Sequence, residues 1–400
     1  MAEIKLPLSL ARPSWRSIRR TLIIMTLIVL VGVSLTILVN TIKKFQPCGA
    51  LDLAWQRSGC LATLLGQGII FSPDGTLAAT ILCGPMREGA CTEDLVQVWR
   101  IDGCGRPAEA CGLPVKTISG QPDSLRSLAF SPNGAILAAA GCARWQGYRC
   151  EAGGRINLWR IDGCVPLTPS CGVLLHAWIA HEDIINEVAF SPDGLLLASA
   201  GRDYTAKLWQ VAECAPASSQ CGVLQHTLNH FEQVFSLTFS PDGQILATGS
   251  SSFALWRVSD GTRLGGAKRG STSSVFDVAF SPDGTILASA NRYSYVGLWQ
   301  VAGCLAQAED CGMRVARLDL PGAPIRRVAF APDGKTIVAA SYDEVLAQWR
   351  MVECPEPCSV SMSPLGAASN LAFSPDGKLL ALVTNELVQL WPAQPVLINQ

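Results

Sequence analysis

Charge is scarce in this 400-residue chain. Asp, Glu, Lys and Arg together make up 16% of it, and the formal net charge is −1. A chain so poor in charge and rich in apolar residues is not a disordered polyelectrolyte, and it has no general affinity for phosphate backbone. Histidine is also scarce, with four residues. The strings G-x-x-x-x-G-K-[ST], H-E-x-x-H, C-x2-C and C-x-x-C-H are all missing. Phosphate cradles, zinc peptidases, zinc ribbons and haem attachment therefore leave no signature here. No metal and no cofactor is expected. What is abundant is apolar residues at 49%, 11 Trp and 16 Cys. An even and large number of cysteines without metal spacing suits an oxidising compartment.

The near-zero net charge hides an asymmetry. Residues 1–47 carry Lys5, Arg12, Arg16, Arg19, Arg20, Lys43 and Lys44 against Glu3 alone, a net of +6, which leaves −7 for the rest. Between the basic clusters runs Thr21 to Thr41, without charge or proline. As a helix this run is roughly 30 Å long, enough to cross a bilayer core. More basic residues precede it than follow it, so the N-terminus is expected in the cytoplasm and the bulk of the chain outside. A cleaved signal peptide is the rival reading. Its apolar region is normally shorter and ends in a small-residue site, whereas Asn40-Thr41-Ile42-Lys43-Lys44 follows here. The expected layout is a basic cytoplasmic tail over 1–20, a transmembrane signal anchor over 21–42 and one extracytoplasmic domain over 48–400.

Internal repetition dominates that domain. The string F-[SA]-P-[DN]-G occurs seven times, at 71–75, 130–134, 190–194, 239–243, 280–284, 330–334 and 373–377. Each copy follows one apolar run and precedes another, so each reads as strand, tight turn, strand. A third strand closes on Trp99, Trp159, Trp209, Trp256, Trp299, Trp349 and Trp391. From Phe to its own Trp the distances are 28, 29, 19, 17, 19, 19 and 18 residues, so the first two repeats carry about ten extra. With insertions removed, the unit is about 41–43 residues, the period of a four-stranded propeller blade.

On these motifs the chain resembles the WD40-repeat family across nearly all of 48–400. The resemblance implies an all-β, seven-bladed β-propeller, preceded here by one transmembrane helix. It also implies a structural tetrad of His181, Ser199, Asp203 and Trp209 in the third repeat. Elsewhere the tetrad is eroded, and Trp is followed by Arg, Gln or Pro rather than Asp. A closing strand is expected from residues 50–56, by likeness of Cys48-Gly49-Ala50-Leu51 to Cys171-Gly172-Val173-Leu174. A third-strand reading of Trp55 to Cys60 and closure by the C-terminal tail are the rivals.

The cysteines fall into local pairs. Cys104/Cys111, Cys164/Cys171, Cys214/Cys221 and Cys304/Cys311 are all C-x6-C, and each begins five residues after a blade Trp. Cys354/Cys358 holds the same place with a shorter loop. Cys83/Cys91 and Cys142/Cys150 lie in the ten-residue insertions. Cys48 and Cys60 remain, and one straight strand between them would hold them about 20 Å apart, too far for a bridge. Disulfides between the local pairs are expected, as staples at hairpin tips.

Loops between second and third strands share a face with the connections between blades. The two Cys-closed insertions therefore stand on one face, presenting Met86 and Arg87 from the first, and Arg144, Trp145, Tyr148 and Arg149 from the second. Aromatic and arginine residues are enriched at binding hot spots. These six are the candidate partner contacts. The alternative is a decorated hairpin whose Trp covers its own blade. In the central channel the polar candidates are Asp277, Arg326 and Arg327. Most proteins of the resembled family are binding platforms, so the expected function is a non-catalytic, membrane-anchored scaffold for protein partners. It could equally serve as an accessory subunit of a membrane complex. A propeller enzyme or small-ligand sensor using the channel is the alternative.

Overall fold

The computed structural model describes residues 62–393, apart from 85, 88–89, 92, 103, 105–110, 147–148, 166–167, 213, 216–217, 268–273, 352–359, 362–367 and 385–386. The apolar run 21–41, the segment 50–56 and Cys48, Cys60, Cys354 and Cys358 lie outside the described residues. Among the described residues no helix is long and apolar enough to cross a membrane.

Among the described residues, twenty-eight strands form seven four-stranded antiparallel sheets. In blade three the order is Ile185–Phe190, Leu196–Gly201, Thr205–Gln210 and Val223–Asn229, from the inside outwards. Each innermost strand packs against the next. The last, Asn370–Phe373, meets the first, Gln67–Phe71, and the ring closes.

The turn chemistry explains why each repeat starts a hairpin. In blade three the Ser191 hydroxyl donates to Asp193 Oδ1 at 2.5 Å, and Asp193 accepts the Leu195 N–H at 3.0 Å. The same bonds recur at Ser72/Asp74, Ser131/Asn133, Ser240/Asp242 and Ser281/Asp283. The aspartates of these turns are thus occupied in holding the backbone.

The core is divided among the junctions. Seven apolar clusters each lie between two neighbouring blades. Every sheet therefore buries both faces, which is why the second strands, such as Leu196–Gly201, read as continuous small and apolar runs. Each blade Trp points into the junction with the preceding blade: Trp209 packs with Ile156 and Leu158 of blade two.

The closing strand is Ala62–Leu65, paired antiparallel with Leu387–Pro392 from Ala62↔Leu390 to Leu65↔Leu387. Closure comes from the N-terminal side, but later in the chain than residues 50–56. The reason is the connection that follows. Elsewhere several residues separate an outer strand from the next inner one, as between Ile118 and Ser124. Here one residue, Gly66, joins the closing strand to Gln67–Phe71, at φ +138°. A Cβ there would lie 2.5 Å from Thr80 Cβ, so only glycine makes this passage.

The structure contains the disulfides Cys104–Cys111, Cys142–Cys150, Cys164–Cys171, Cys214–Cys221 and Cys304–Cys311. Cys83 is also disulfide-bonded. The side chain of Cys91, expected as its partner, lies outside the described residues. The backbone of Cys91 pairs with that of Met86 in a short hairpin of the first insertion. The expected pairs Cys83/Cys91, Cys354/Cys358 and Cys48/Cys60 therefore rest on the sequence.

The loop bridges between third and fourth strands are not exposed tips. Cys164, Cys171, Cys221, Cys304 and Cys311 are buried, and each belongs to the apolar cluster shared with the preceding blade. The glycine after each second cysteine explains how. Gly172 has φ +78° and its N–H returns to the Arg160 carbonyl at 2.7 Å, folding the loop inwards; Gly112, Gly222 and Gly312 repeat this.

Candidate functional site

The tetrad residues meet in blade three. The Trp209 indole N–H donates to Ser199 Oγ at 2.8 Å, and Ser199 Oγ lies 2.6 Å from His181 Nε2. His181 Nδ1 lies 2.9 Å from Asp203 Oδ1, which also accepts the Thr205 hydroxyl at 2.7 Å. Burial holds His181 below its ordinary value, so at neutral pH it is the neutral imidazole, donating from Nδ1 and accepting at Nε2. Burial works against ionised Asp203, yet the bonds from His181, Thr205 and the Glu182 N–H prevail and keep its carboxyl well below the usual range. Ser199 and His181 are sealed inside the blade, so this Ser/His/Asp set has no route to a substrate.

Other blades place different residues at the same positions. The Trp99, Trp256 and Trp299 indoles donate to Thr80, Thr248 and Ser289 at 2.8, 2.9 and 2.8 Å. Trp159 donates to Gln121 Oε1 at 3.3 Å. His230, not singled out from the sequence, places Nε2 2.9 Å from Thr248 Oγ1. Trp349 N–H is buried with no hydrogen-bond partner among the described residues.

On the face formed by inter-blade connections and second-to-third-strand turns, aromatic side chains stand free. Trp145 is 37% exposed, at the base of a two-residue hairpin pairing Trp145↔Cys150. Its backbone N–H donates to Asp123 Oδ2 at 3.1 Å, and the Cys142–Cys150 bridge closes the loop. Arg144 and Arg149 are exposed. Tyr148 and the side chains of Met86 and Arg87 lie outside the described residues. The larger feature was missed. Phe231 is 92% exposed, Tyr293 65%, Tyr204 56% and Tyr342 52%, all in turns of this face on blades three to six. Their signal was available, because each sits in a connection that strand direction assigns to the same face as Trp145. Toward the channel the row continues inward: Phe235 and Phe276 meet edge to face at 5.2 Å, and Phe276 and Tyr342 at 5.6 Å.

The channel mouth is set by β-bulges near the start of inner strands. Register shifts lie at Leu125/Ser127, Ile185/Glu187, Val275/Asp277 and Ile325/Arg327. Ser127, Glu187, Asp277 and Arg327 follow the bulges and line the channel. Three of them meet the need of an inner edge strand, whose outward N–H groups have no strand to pair with. Ser127 accepts the Val188 N–H at 3.1 Å, Glu187 the Leu237 N–H at 2.9 Å and Asp277 the Val328 N–H at 2.9 Å. Each carries the bond from its own blade to the next.

Arg327 sits between the two carboxylates, 3.5 Å from Asp277 Oδ1 and 3.8 Å from Glu187 Oε1. Burial raises both acids above their ordinary values, Glu187 to about 7, with Arg327 opposing the rise in both and the Asp277 charge adding to it at Glu187. Glu187 keeps 23% of its side chain exposed at the channel. Of the channel candidates read from sequence, Asp277 and Arg327 form this cluster with Glu187. Arg326 instead turns up to the mouth, 5.6 Å over the Tyr342 ring. The cavity there is about 280 Å³.

A closed ring of seven four-stranded blades around such a channel defines a seven-bladed β-propeller. Five stretches, 112–160, 172–210, 222–256, 265–300 and 314–350, match the family described as WD domain, G-beta repeat. The chain therefore carries WD40 repeats on this propeller. Each matched stretch runs from the outer strand of one blade to the third strand of the next, so each repeat spans one buried junction. No curated protein sequence matches the chain.

Proposed function

We propose that the protein is a non-catalytic scaffold that binds protein partners through the aromatic face of its propeller. The observation that carries this is the set of four large aromatics standing more than half exposed on one face, Phe231 almost fully so. Free aromatic area of this kind is costly to leave in water and is what interfaces bury at their hot spots. We further propose that the propeller is held at a membrane by the uncharged run Thr21–Thr41, with its N-terminus cytoplasmic and the propeller in the periplasm or at the cell surface. The basic bias of 1–47 and the paired cysteines support that placement. In this setting the protein would serve a membrane complex.

A photo-crosslinker placed at Phe231 should capture one discrete partner in intact membranes. The same probe at Lys378, in a turn of the opposite face, should not. Phe231→Ser together with Tyr293→Ser should abolish capture without changing expression. Equal capture from both faces, or capture that survives the double substitution, would remove this face as the docking surface. Protease added to spheroplasts should digest the propeller but not a tag on residue 1; the reverse would overturn the orientation.

A further inference from the structure

On the face opposite the aromatics, the outer strands begin with an apolar rim that covers only part of the ring. Opposite the blade Trp stand Pro114, Leu174 and Leu224 in blades one to three, but Arg263 and Arg314 in blades four and five. All five are exposed. Leu113, Val173 and Val223, one residue earlier in the first three blades, are exposed as well. In the adjoining turns, Leu195 of blade three is exposed where blades six and seven carry Lys335 and Lys378. The fold therefore does not demand apolar residues at these positions. Single exposed aliphatics are ordinary, but the same position filled in adjacent blades makes a surface. The sector is continuous from blade to blade. A Cβ on Gly222 would stand 3.0 Å from Trp178 Cδ2 of blade two, and one on Gly172 would stand 2.8 Å from Lys116 Cε of blade one, so each loop leans on the preceding outer strand. At the other end, a Cβ on Gly112 would stand 2.7 Å from Leu64 Cδ2. Leu64 belongs to the closing strand, whose first residue, Ala62, lies on this same rim beside the apolar sector.

We propose that the rim of blades one to three rests in the headgroup–acyl boundary of a phospholipid bilayer. The inference rests on the membrane placement argued above and adds which side of the propeller meets the lipid. Twenty residues, 42–61, join the uncharged run Thr21–Thr41 to the entry point at Ala62. As a flexible coil that length spans roughly 25 Å, so an anchored chain holds this rim within reach of the lipid surface. The chemistry selects lipid over protein. The exposed side chains of the sector are aliphatic, whereas protein hot spots favour the Trp, Tyr and Arg that this protein displays on its other face. The outer strands Val173–His181 and Val223–Asn229 contain no Asp, Glu, Lys or Arg. Leu113–Ile118 contains Lys116 alone, whose stem can lie on the boundary while its ammonium reaches a phosphate. A rim spread over the outside of three blades suits a fluid boundary, which conforms to it and gains by the apolar area withdrawn from water. Arg263, Arg314, Lys335 and Lys378 keep the other half of the ring in water. The propeller then leans on one edge, and Phe231 and Tyr293 stay open to partners.

The test uses the oxidised full-length chain in phosphatidylcholine vesicles doped with a phospholipid bearing a diazirine near the glycerol end of one acyl chain. After irradiation, mass spectrometry should find lipid adducts on peptides from 21–41 and on those carrying Val173–Leu174 and Val223–Leu224, but not on those carrying Phe231 or Tyr293. Leu174→Asp with Leu224→Asp should cut the rim adducts about tenfold, the factor for withdrawing two partly buried aliphatic side chains from an apolar phase, and leave the adducts on 21–41 unchanged. Leu174→Thr with Leu224→Thr, which keeps good strand formers, should lower the rim adducts in the same direction, so a folding defect of the Asp pair leaves the test intact. Adducts on 21–41 with a bare rim would overturn the lipid contact and leave the anchor standing. Rim adducts that vanish with the substitutions, on a chain unlabelled over 21–41, would support the contact and remove the anchor. A chain without adducts would overturn both. Rim adducts indifferent to both pairs of substitutions would show mere collision and overturn the contact. A photo-crosslinker at Val223 in native membranes should likewise yield lipid adducts; a discrete protein adduct there, or a dimer of this chain, would replace lipid as the occupant and sink the proposal.

Discussion

The buried Trp349 indole offers a direct measure of what the blade hydrogen bonds contribute. In blades one, three, four and five the acceptor for the Trp N–H sits on the second strand, opposite the residue two before the Trp. Thr80↔Gln97, Ser199↔Lys207, Thr248↔Ala254 and Ser289↔Gly297 all obey this register. The corresponding pair in blade six is Ala339↔Ala347, so the acceptor position holds a methyl group. Trp349 is completely buried and its N–H has no partner among the described residues. A buried unsatisfied donor costs about 1–3 kcal/mol. Ala339→Ser adds one hydroxyl at a Cβ already in place, and the neighbouring blades show its oxygen 2.8–2.9 Å from the indole nitrogen. After desolvation of the new hydroxyl, the net gain should be about 1 kcal/mol. An unfolding entropy of about 2.1 cal/mol/K per residue makes that only about 1–2 °C in Tm for a domain this large. Equilibrium denaturation of the purified oxidised chain is therefore the better assay, read as a rise in midpoint at constant slope. The matched control is Ser289→Ala, which strips the acceptor from Trp299 and from Asn291 Nδ2 at 3.0 Å, and should cost about 1–3 kcal/mol. If Ala339→Ser is neutral or destabilising while Ser289→Ala shows its full cost, the orphan reading of Trp349 is wrong.

Other outcomes follow from the same structure. His230 is held down to about 4 by burial, so the unfolded chain binds its proton first and stability rises with pH between about 4 and 6.5. Glu187, raised to about 7, acts oppositely, and stability falls as pH climbs from about 4.5 to 7. His230→Asn should therefore turn the acid-side slope of denaturant midpoint against pH downward, and Glu187→Gln should steepen it upward; parallel profiles would refute both assignments. Replacing Cys304 and Cys311 with Ser should cost about 2–3 kcal/mol by loop entropy alone, and more because both lie in the junction with blade four. A loss confined to local proteolysis of residues 305–310 would show that the bridge does not support the junction. Glu344 holds a left-handed turn at φ 67°, so Glu344→Gly should raise stability by about 0.5–1 kcal/mol, measured by denaturation.

What was legible in the sequence was local and repeated. The Phe-Ser-Pro-Asp-Gly turns and the spacing to each Trp announce a blade because their chemistry is completed within a few residues. The cysteine loops were legible for the same reason, but their burial was not, since Cys164 and Cys171 pack on Ile118 of another blade. Glu187 and Arg126 stand at the same repeat positions as Asp277 and Arg326, three and four residues before the turn Phe, so the channel reading passed over equivalents of residues it did name. Gln121 and His230 stand nine residues before their turn Phe, the place His181 holds in the third repeat, so aligning the repeats would have found them. Tyr204, Phe231, Tyr293 and Tyr342 are far apart along the chain; only the direction of the strands collects them on one face.

The pairing of Ala62–Leu65 with Leu387–Pro392 has a consequence in time. The strand synthesised first among these finds its partner last, since Ala62 and Leu390 stand opposite each other across nearly the whole domain. Until blade seven emerges, the growing ring has an uncovered apolar face at each end, including Ile69 and Ala78 of blade one and Val338, Ala340 and Leu346 of blade six. Contacts this remote in sequence form slowly and leave sticky edges open meanwhile. Nascent chains of this protein should therefore depend on holding factors in proportion to how long elongation delays the final twenty or so residues, and a copy that closes late can seize the waiting edge of another.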